Sequence, residues 1–341
     1  MQIKTYNQEL IELPIVDINA NSLIALPALI DAHVHFRTPG AEHKENWESG
    51  AMSALAGGVT TVLDMPNNSP AITTLELLEN KVKIVTEQLK NIDIPLHKYF
   101  YLGATADNLE EIEKCKNHII GVKIFMGAST GNLLVADLET QEKIFQKCAD
   151  LNLLVAVHAE DDQIINAEKI KFPQPTVADH GKIRPYLAAT TAVKNAITLA
   201  EKTGAKLYIL HASTRAEIDL IRKAKQTNPR IFVEASPHHL FLTEEAFEVL
   251  GTKGQMNPPL RPKDDVVALW EALNDNTIDT IGTDHAPHTL SEKSQLYPNS
   301  PSGVPGIETY LPLLLDAYNH GKISLEKIVE LTHKNPQKIF G

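Results

Sequence analysis

The sequence predicts an α/β protein built as one (β/α)8 barrel (TIM barrel), and three observations support this prediction. Eight short runs of apolar and β-branched residues recur along the 341 residues, and most precede a polar loop and an amphipathic stretch. Eight parallel strands close such a barrel, which commonly forms one domain at this length. The composition, with 43% hydrophobic and 22% charged residues, suits a globular protein with a large core.

The eight predicted strands come in regular succession. They are LIDAHVHF (29–36), GVTTVLDM (58–65), HKYFYLGA (97–104), IIGVKIFM (119–126), LLVAVHAE (153–160), AKLYILHA (205–212), RIFVEASP (230–237) and TIDTIGTD (277–284). The stretches between them, such as 73–90 and 137–151, carry apolar residues at helical spacing without proline, so we expect them to form the outer helices.

The two ends of the chain complete the predicted domain organisation. Residues 1–25 are expected to form short N-terminal strands, at most a vestigial β-sandwich, and residues 26–341 the barrel domain. Because the chain reaches Gly341 soon after its last predicted helix, we expect no large second domain.

Composition excludes several classes of function. The net charge of −11 argues against a nucleic-acid partner, because binding a phosphate backbone needs clustered Lys and Arg. Cys115 and Cys148 lie in predicted helices without a C-x-x-C pattern, so neither a disulfide framework nor a thiolate metal site is expected. The N-terminus lacks the apolar core of a signal peptide, and the apolar run 23–30 is too short to span a bilayer. These features predict a cytoplasmic protein without membrane association.

Reactive side chains stand at the ends of five predicted strands. In a parallel barrel the active site lies at the carboxyl ends of the strands. The ionisable residues found there are His33, His35, Lys123, His158, His211 and Asp284. Alternation along a strand places the two histidines of His33-Val34-His35 on one face, so that both can reach one ion.

Together these residues predict a metal centre. A single histidine at a strand end is more often a hydrogen-bonded polar residue than a ligand, but four histidines and one aspartate supply the nitrogen and oxygen ligands that zinc prefers. Five ligands are too many for one catalytic zinc with an open position, and they suit two ions that share a water.

Lys123 is the ionisable residue at the end of the fourth strand, where a bridging anion is needed. Two cations would repel its ammonium group, whereas a carbamate formed from the neutral amine and carbon dioxide would supply two oxygen ligands. The alternative is a lysine that extends to the surface. Its apolar neighbours Val122, Ile124 and Phe125 weaken that alternative.

With these residues identified, the sequence resembles the dihydroorotases of the amidohydrolase superfamily from about residue 28 to 310. The resemblance is carried by DAHVHFRTPG (31–40), GGVTTVLDMPNNSP (57–70), GVKIF (121–125), VHAED (157–161), HAS (211–213), EASPHHLFL (234–242), MNPPLR (256–261) and GTDHAPH (282–288). Such an ordered series is far more specific than the H-x-H pair, which the whole superfamily shares.

The resemblance implies a role for each site residue. It assigns one zinc to His33, His35 and Asp284, the second to His158 and His211, and the bridging carbamate to Lys123. The implied substrate-binding residues are Arg37, Asn67, Asn257 and His288, and Pro305 and Gly306 resemble a loop that closes the pocket. Some relatives bridge the metals with an aspartate after strand four, but this chain has Met126 and Gly127 there, which favours the lysine.

The resemblance also implies a reaction, the reversible hydrolysis of L-dihydroorotate to N-carbamoyl-L-aspartate in pyrimidine biosynthesis. A zinc-bridging hydroxide would attack the ring amide, and Asp284 would act first as general base and then as general acid. Arg37 would grip the substrate carboxylate, unless it pairs with Glu45 or Glu48. Ser129 and Thr130 lie in a loop that suits a lid over substrate, although a plain surface loop is the alternative.

Other interpretations stay open at this point. A hydantoinase or an allantoinase would share the metals and Asp284, and a non-catalytic scaffold supporting aspartate transcarbamoylase would have lost metal ligands, which this chain has not. A homodimer and an association with aspartate transcarbamoylase are expected for an active enzyme as well. His238 and His239 recur in the family motif, and we expect them to serve packing or support of the site.

Overall fold

Eight parallel strands form a nearly closed barrel in the computed structural model, which describes residues 2–12, 23–127 and 133–341. The barrel strands are β4 (Leu29–Val34), β5 (Val59–Asp64), β6 (His97–Gly103), β7 (Gly121–Phe125), β8 (Leu154–His158), β9 (Lys206–Ile209), β10 (Ile231–Ala235) and β11 (Thr280–Ile281). Each pairs with the next along the chain. Between the first and the last, Val34 and His285 form a parallel bridge, and His35 N–H donates to His285 O at 2.8 Å.

All eight predicted strands are confirmed, although the last is shorter than predicted. Residues 277–284 were expected in β11, which spans only Thr280–Ile281. Beyond it, Asp284 has a φ of 48°, in the left-handed region that an extended strand does not contain. The strand therefore ends before the carboxylate.

A separate small sheet lies in the expected N-terminal segment. It consists of β1 (Gln2–Thr5), β2 (Leu10–Glu12) and β3 (Ile24–Ala25). β1 runs antiparallel to β2 and parallel to β3. Among the described helices, none has the length and apolar composition that a membrane crossing requires. Cys115 and Cys148 are buried free thiols.

Helices connect the strands and cover the barrel. The α-helices are α1 (Trp47–Ala56), α2 (Leu75–Leu89), α3 (Leu109–Cys115), α4 (Leu138–Asp150), α5 (Asp162–Lys169), α6 (His180–Ile183), α7 (Tyr186–Thr203), α8 (Arg215–Lys225), α9 (Pro237–Phe241), α10 (Ala246–Leu250), α11 (Lys263–Asn274), α12 (Leu290–Lys293), α13 (Tyr310–Asn319), α14 (Leu325–Val329) and α15 (Asn335–Phe340). Short 3-10 helices span Val177–Asp179, Gly251–Gly254 and Ile307–Thr309, and a π-helical turn spans Glu330–Lys334.

The helices predicted at 73–90 and 137–151 are confirmed as α2 and α4. Thr74 caps α2 by accepting a hydrogen bond from Leu77 N–H at 3.2 Å, and Asp137 caps α4 by accepting one from Thr140 N–H at 2.7 Å. Such caps satisfy backbone donors that have no partner within the helix.

Two apolar cores lie on either side of the strands. The larger core fills the space between strands and helices, and the smaller one fills the barrel interior with Ala32, Leu63, Met65, Tyr101, Leu154, Ala156, Tyr208 and Leu210. At the amino ends of the strands, the Phe340 ring packs 6.4 Å from that of Tyr101 and 5.2 Å from that of Tyr208, centroid to centroid. This packing leaves the opposite, carboxyl end for the site.

Candidate metal centre

The three residues expected at the first metal form one cluster at the mouth of the barrel. Suitable ligand atoms of His33, His35 and Asp284 all lie within 4.8 Å of one another. His33 Nε2 is 3.2 Å and His35 Nε2 is 3.0 Å from Asp284 Oδ1. The three residues come from opposite ends of the chain, and the β4–β11 seam brings them together.

The two remaining histidines face each other beside this cluster. His158, the last residue of β8, places its Nδ1 atom 3.0 Å from Nε2 of His211, which follows β9. The ring centroids of His33 and His211 are 5.4 Å apart. Both sets of predicted ligands therefore line one pocket.

The donor set fits metal ions. Two ligand atoms of one tetrahedral zinc lie roughly 3.3 Å apart, given Zn–N and Zn–O distances of about 2.0–2.2 Å, and the distances of 3.0–3.2 Å between the nitrogen and oxygen atoms described above are close to this spacing. His211 Nδ1 is buried without a hydrogen-bond partner, whereas His158 Nε2 lies 3.0 Å from Glu160 Oε2. Buried polar atoms normally find partners, so the His211 ring is poorly satisfied by protein alone.

Two of these residues adopt a backbone conformation that is uncommon outside glycine. His211 has a φ of 37° and Asp284 a φ of 48°. A side chain with a Cβ in this region costs on the order of 1–3 kcal/mol, and such residues cluster at functional sites. The left-handed conformation turns the backbone after β9 and β11 end, at His211 and Asp284.

Lys123 lies on β7 and is fully buried in the same pocket. Its Nζ atom lies 4.7 Å from the centre of the Phe125 ring, and within the described ranges it has neither an ion-pair partner nor a hydrogen-bond acceptor. Burial lowers the pKa of Lys123 to about 7, although Asp284 and Glu234 act in the opposite direction. A substantial fraction of the amine is therefore neutral near pH 7. The surface-lysine alternative is wrong.

Burial and charge also set the ionisation of the ligands. Burial alone would raise the pKa of Asp284, but His33 and His35 outweigh it and hold that pKa well below its usual range. Burial lowers the pKa of His35 to about 4. Near neutral pH the His35 ring is therefore neutral and Asp284 is ionised, which are the forms that bind metal.

The expected substrate-binding residues surround this centre. The pocket is lined by His33, His35, Arg37, Asn67, Lys123, Phe125, His158, His211, Asn257, Asp284, Ala286, Ser302 and Gly303. Asn67 Oδ1 lies 2.6 Å from His35 Nδ1, and Asn257 Oδ1 is buried without a hydrogen-bond partner. His288 adjoins the lining through contacts with Arg37 and Ser302.

Arg37 forms no ion pair with a carboxylate of the described chain, so the pairing with Glu45 or Glu48 is not observed. Its Nε donates to Pro287 O at 2.9 Å, and its Nη2 lies 3.0 Å from His288 Nε2. Glu45 instead contacts His285 Nε2 at 3.0 Å. The guanidinium group stays available for an anion in the pocket.

The two expected loops differ in position. Ser302 and Gly303 line the pocket, whereas Pro305 is exposed and Gly306 N–H donates to His285 Nδ1 at 3.1 Å, behind the lining. Ser129 and Thr130, the expected lid residues, lie outside the described residues.

Two buried glutamates support the histidines and were not identified from the sequence. Glu234, on β10, contacts His33 Nδ1 at 2.8 Å, and Glu160 contacts His158 and is held by Arg184. Carboxylates that orient metal-binding histidines are a general feature of such sites. The available signal was their position in the motifs EASP and VHAED at strand ends.

His238 and His239 are both buried, with ring centroids 4.4 Å apart. His239 Nε2 contacts Pro258 O at 3.0 Å, next to the pocket residue Asn257. This position is compatible with the expected supporting role, which stays a prediction.

Comparisons with known proteins agree with the observed fold. The chain is 38% identical over 335 residues to a dihydroorotase of Methanosarcina mazei, which covers 95% of this chain and 72% of the relative. It is 38% identical to the multifunctional protein CAD of Squalus acanthias, over 94% of this chain and 13% of that protein. The structure of an L-hydantoinase (dihydropyrimidinase) from Arthrobacter aurescens superposes with a TM-score of 0.87 at 30% identity, covering 92% of this chain and 71% of that chain.

A family profile also covers the whole described barrel. The profile of the amidohydrolase family matches residues 24–341, a range that contains every candidate ligand. Since the match covers more than half of the sequence and the fold agrees, the chain belongs to the amidohydrolase family.

Proposed function

We propose that the protein is a dihydroorotase, a hydrolase of cyclic amide bonds that interconverts L-dihydroorotate and N-carbamoyl-L-aspartate. The observation that carries this proposal is the Arg37 guanidinium beside His288, which has no carboxylate partner within the described residues and lies in the same pocket as the candidate ligand cluster. L-Dihydroorotate carries a carboxylate that simple hydantoins and dihydrouracil lack, and a guanidinium group binds a carboxylate through two parallel hydrogen bonds. Dihydroorotase relatives at 34–38% identity support the proposal.

The site residues would hold two zinc ions, with His33, His35 and Asp284 at one and His158 and His211 at the other. The neutral amine of Lys123 supports a carbamate between them. When bound, the ions would lower the pKa of a water molecule and polarise the amide carbonyl.

The residues of the chain supply the remaining steps. Arg37, Asn67, Asn257 and His288 orient the ring so that its amide faces Asp284. Asp284, which is ionised because its pKa is held low, takes a proton from the attacking water and delivers it to the ring nitrogen as the C–N bond breaks. The products are a carboxylate and a ureido group, and the same residues serve ring closure in reverse.

The sequence also predicted alternatives and partners for this enzyme. The hydantoinase alternative shares the fold with the Arthrobacter structure, but it gives no role to a carboxylate-binding arginine. The multifunctional relative supports an association with another enzyme such as aspartate transcarbamoylase. We also propose a homodimer, a cytoplasmic location and the lid expected at Ser129 and Thr130.

Substitution of Arg37 by methionine tests the substrate assignment. Because a charged hydrogen-bonded pair is lost from a buried pocket, we expect Arg37→Met to lower kcat/KM for dihydroorotate about a hundredfold. Zinc content should stay at the wild-type level, and the preference for dihydroorotate over dihydrouracil should disappear. The measurement is steady-state hydrolysis of both substrates with metal analysis of each preparation.

Arg230→Met is the matched control, because Arg230 is an exposed arginine whose Nη1 donates to Gly204 O far from the pocket lining. It should leave both rates unchanged. A wild-type protein that hydrolyses dihydrouracil or a hydantoin faster than dihydroorotate would refute the dihydroorotase proposal in favour of another cyclic amidase.

A further inference from the structure

A single imidazole, that of His288, contacts two cationic side chains. Arg37 Nη2 lies 3.0 Å from its Nε2, and Lys44 Nζ lies 3.1 Å from its Nδ1. Ser302 O also lies 3.0 Å from Nε2. Burial, Arg37 and Lys44 together lower the pKa of His288 to about 3, so the ring is neutral and carries one N–H.

A neutral ring cannot satisfy all three neighbours at once. Guanidinium and ammonium groups only donate hydrogen bonds, and a carbonyl only accepts them. With the proton on Nε2, the ring accepts from Lys44 through Nδ1 and donates to Ser302 O. With the proton on Nδ1, it accepts only from Arg37, while an N–H faces the Lys44 ammonium and a lone pair faces the carbonyl. Two satisfied contacts against one favour the Nε2-protonated ring.

This tautomer leaves two donors side by side in the pocket. The Arg37 Nη2 group and the His288 Nε2–H are then 3.0 Å apart with no acceptor between them. Two adjacent donors, one of them cationic, are a complementary partner for the two oxygens of a carboxylate. On binding, such an anion would replace Ser302 O as the acceptor from Nε2–H.

Lys44 is held in place independently of His288. Its Nζ lies 3.2 Å from Glu292 Oε1, and Glu292 is fixed by a capping box at the start of α12, where Thr289 N–H donates to its Oε2 at 2.9 Å. Since the ammonium group is partly buried, it donates along a defined direction.

Gly303 keeps the Nε2 side of the ring clear. Its φ is +135°, and a Cβ built there would lie 3.1 Å from His288 Nε2 and 2.6 Å from Ala286 O. The backbone thus leaves space where an anion would approach.

We infer that Lys44 is a positioning residue that fixes the Nε2–H tautomer of His288 and so makes this ring a donor to the substrate carboxylate. The inference rests on the proposed function for the identity of the carboxylate. The tautomer itself can be tested without any substrate.

The first test is long-range 1H–15N NMR of the zinc-loaded protein labelled with 15N-histidine, with His288 assigned by comparison with His288→Gln. We expect Nδ1 of the wild type to show the shift of an unprotonated ring nitrogen and Nε2 that of a protonated one. In Lys44→Met the ring should move toward the Nδ1–H form, because Nε2 can then accept from Arg37. Lys44→Arg should keep the wild-type pattern, since arginine also only donates.

The second test is kinetic. Loss of one hydrogen bond to a charged ligand predicts a KM for dihydroorotate about tenfold higher in Lys44→Met, with kcat and zinc content close to wild type and with dihydrouracil hydrolysis unaffected. Lys143→Met is the matched control, because Lys143 is an exposed lysine of α4 that pairs with Glu139. It should change neither the spectrum nor KM.

The outcomes separate this inference from the proposed function. A wild-type His288 protonated on Nδ1 overturns the inference even if Lys44→Met fails to fold, and so does a folded Lys44→Met variant with an unchanged tautomer and KM. If the NMR results are as expected but the wild type shows no preference for dihydroorotate, the tautomer assignment stands and the substrate assignment fails.

Discussion

At the scale of single residues, Lys123 shows how burial changes the chemistry of a side chain. An exposed lysine is an ammonium group at neutral pH, with a pKa near 10.4. In the barrel, burial lowers that pKa to about 7, and only the neutral amine can add to carbon dioxide. The site thus favours the reaction that would turn a cation into an anionic ligand.

Replacement of Lys123 by alanine should therefore deplete the metal centre and abolish turnover. Small carboxylic acids should restore part of the activity, because they can occupy the space of the carbamate and supply two oxygens. Metal analysis and hydrolysis assays with and without added acid make the measurement. A Lys123→Ala variant that kept two tightly bound zincs and near-normal activity would contradict the carbamate.

At the scale of elements, the pairing of β10 with β11 positions the ligand His33. Glu234 contacts His33 Nδ1 at 2.8 Å and accepts a hydrogen bond from the Tyr208 hydroxyl at 2.8 Å. Gly282, directly after β11, leaves room for this carboxylate, since a Cβ there would lie 2.2 Å from Glu234 Oε2. The position of the Glu234 carboxylate thus depends on a residue without a side chain.

Gly282→Ala should displace Glu234 and loosen the orientation of His33. Because loss of such a supporting carboxylate typically weakens metal binding 10- to 100-fold, we expect a drop of roughly that size in zinc affinity, measured by competition with a chromophoric chelator. The far-UV circular dichroism spectrum should be unchanged.

Gly181→Ala, within α6, provides the comparison for this substitution. The nearest atom to a Cβ at Gly181 is Leu260 O at 3.9 Å, an ordinary van der Waals distance, so zinc affinity should stay at the wild-type value. Equal zinc affinity in both variants would show that Glu234 does not act through the position of His33.

At the scale of the whole molecule, the candidate ligands join five of the eight strands. They lie on β4, β7, β8, β9 and β11 or within a few residues after these strands. Bound metal would therefore connect these strands at the mouth of the barrel. A ligand that binds only the folded state stabilises it by RT ln(1 + [L]/Kd), about 2.7 kcal/mol at 100 times Kd. We expect removal of metal by a chelator to lower Tm by several degrees, as measured by calorimetry, and zinc to restore it.

Phe340→Ala is the control at the other end of the barrel. Phe340 is half-buried against Tyr101 and Tyr208, so its loss should cost less than the roughly 3–5 kcal/mol of a fully buried phenylalanine. The variant should melt lower than wild type by a similar amount with and without zinc. If the chelator left the Tm of the wild-type protein unchanged, metal would not bridge the strands.

The sequence by itself determined the architecture and the set of candidate ligands. Strand number and order follow from local patterns of apolar residues, which are read over a few residues at a time. The ligands follow because a parallel barrel places the carboxyl ends of all its strands at one mouth, so His33, His35, His158, His211 and Asp284 could be grouped before any distance was known.

Only the tertiary structure decided which groups pair across the barrel. Glu234 and His33 are 201 residues apart, and Lys44 and His288 are 244 apart, so no local pattern relates them. The left-handed backbone of Asp284, the neutral amine of Lys123 and the hydrogen bonding of Arg37 likewise depend on burial and neighbours. Protonation and hydrogen bonding are set by surroundings in three dimensions, which distant segments of the chain create only when they pack together.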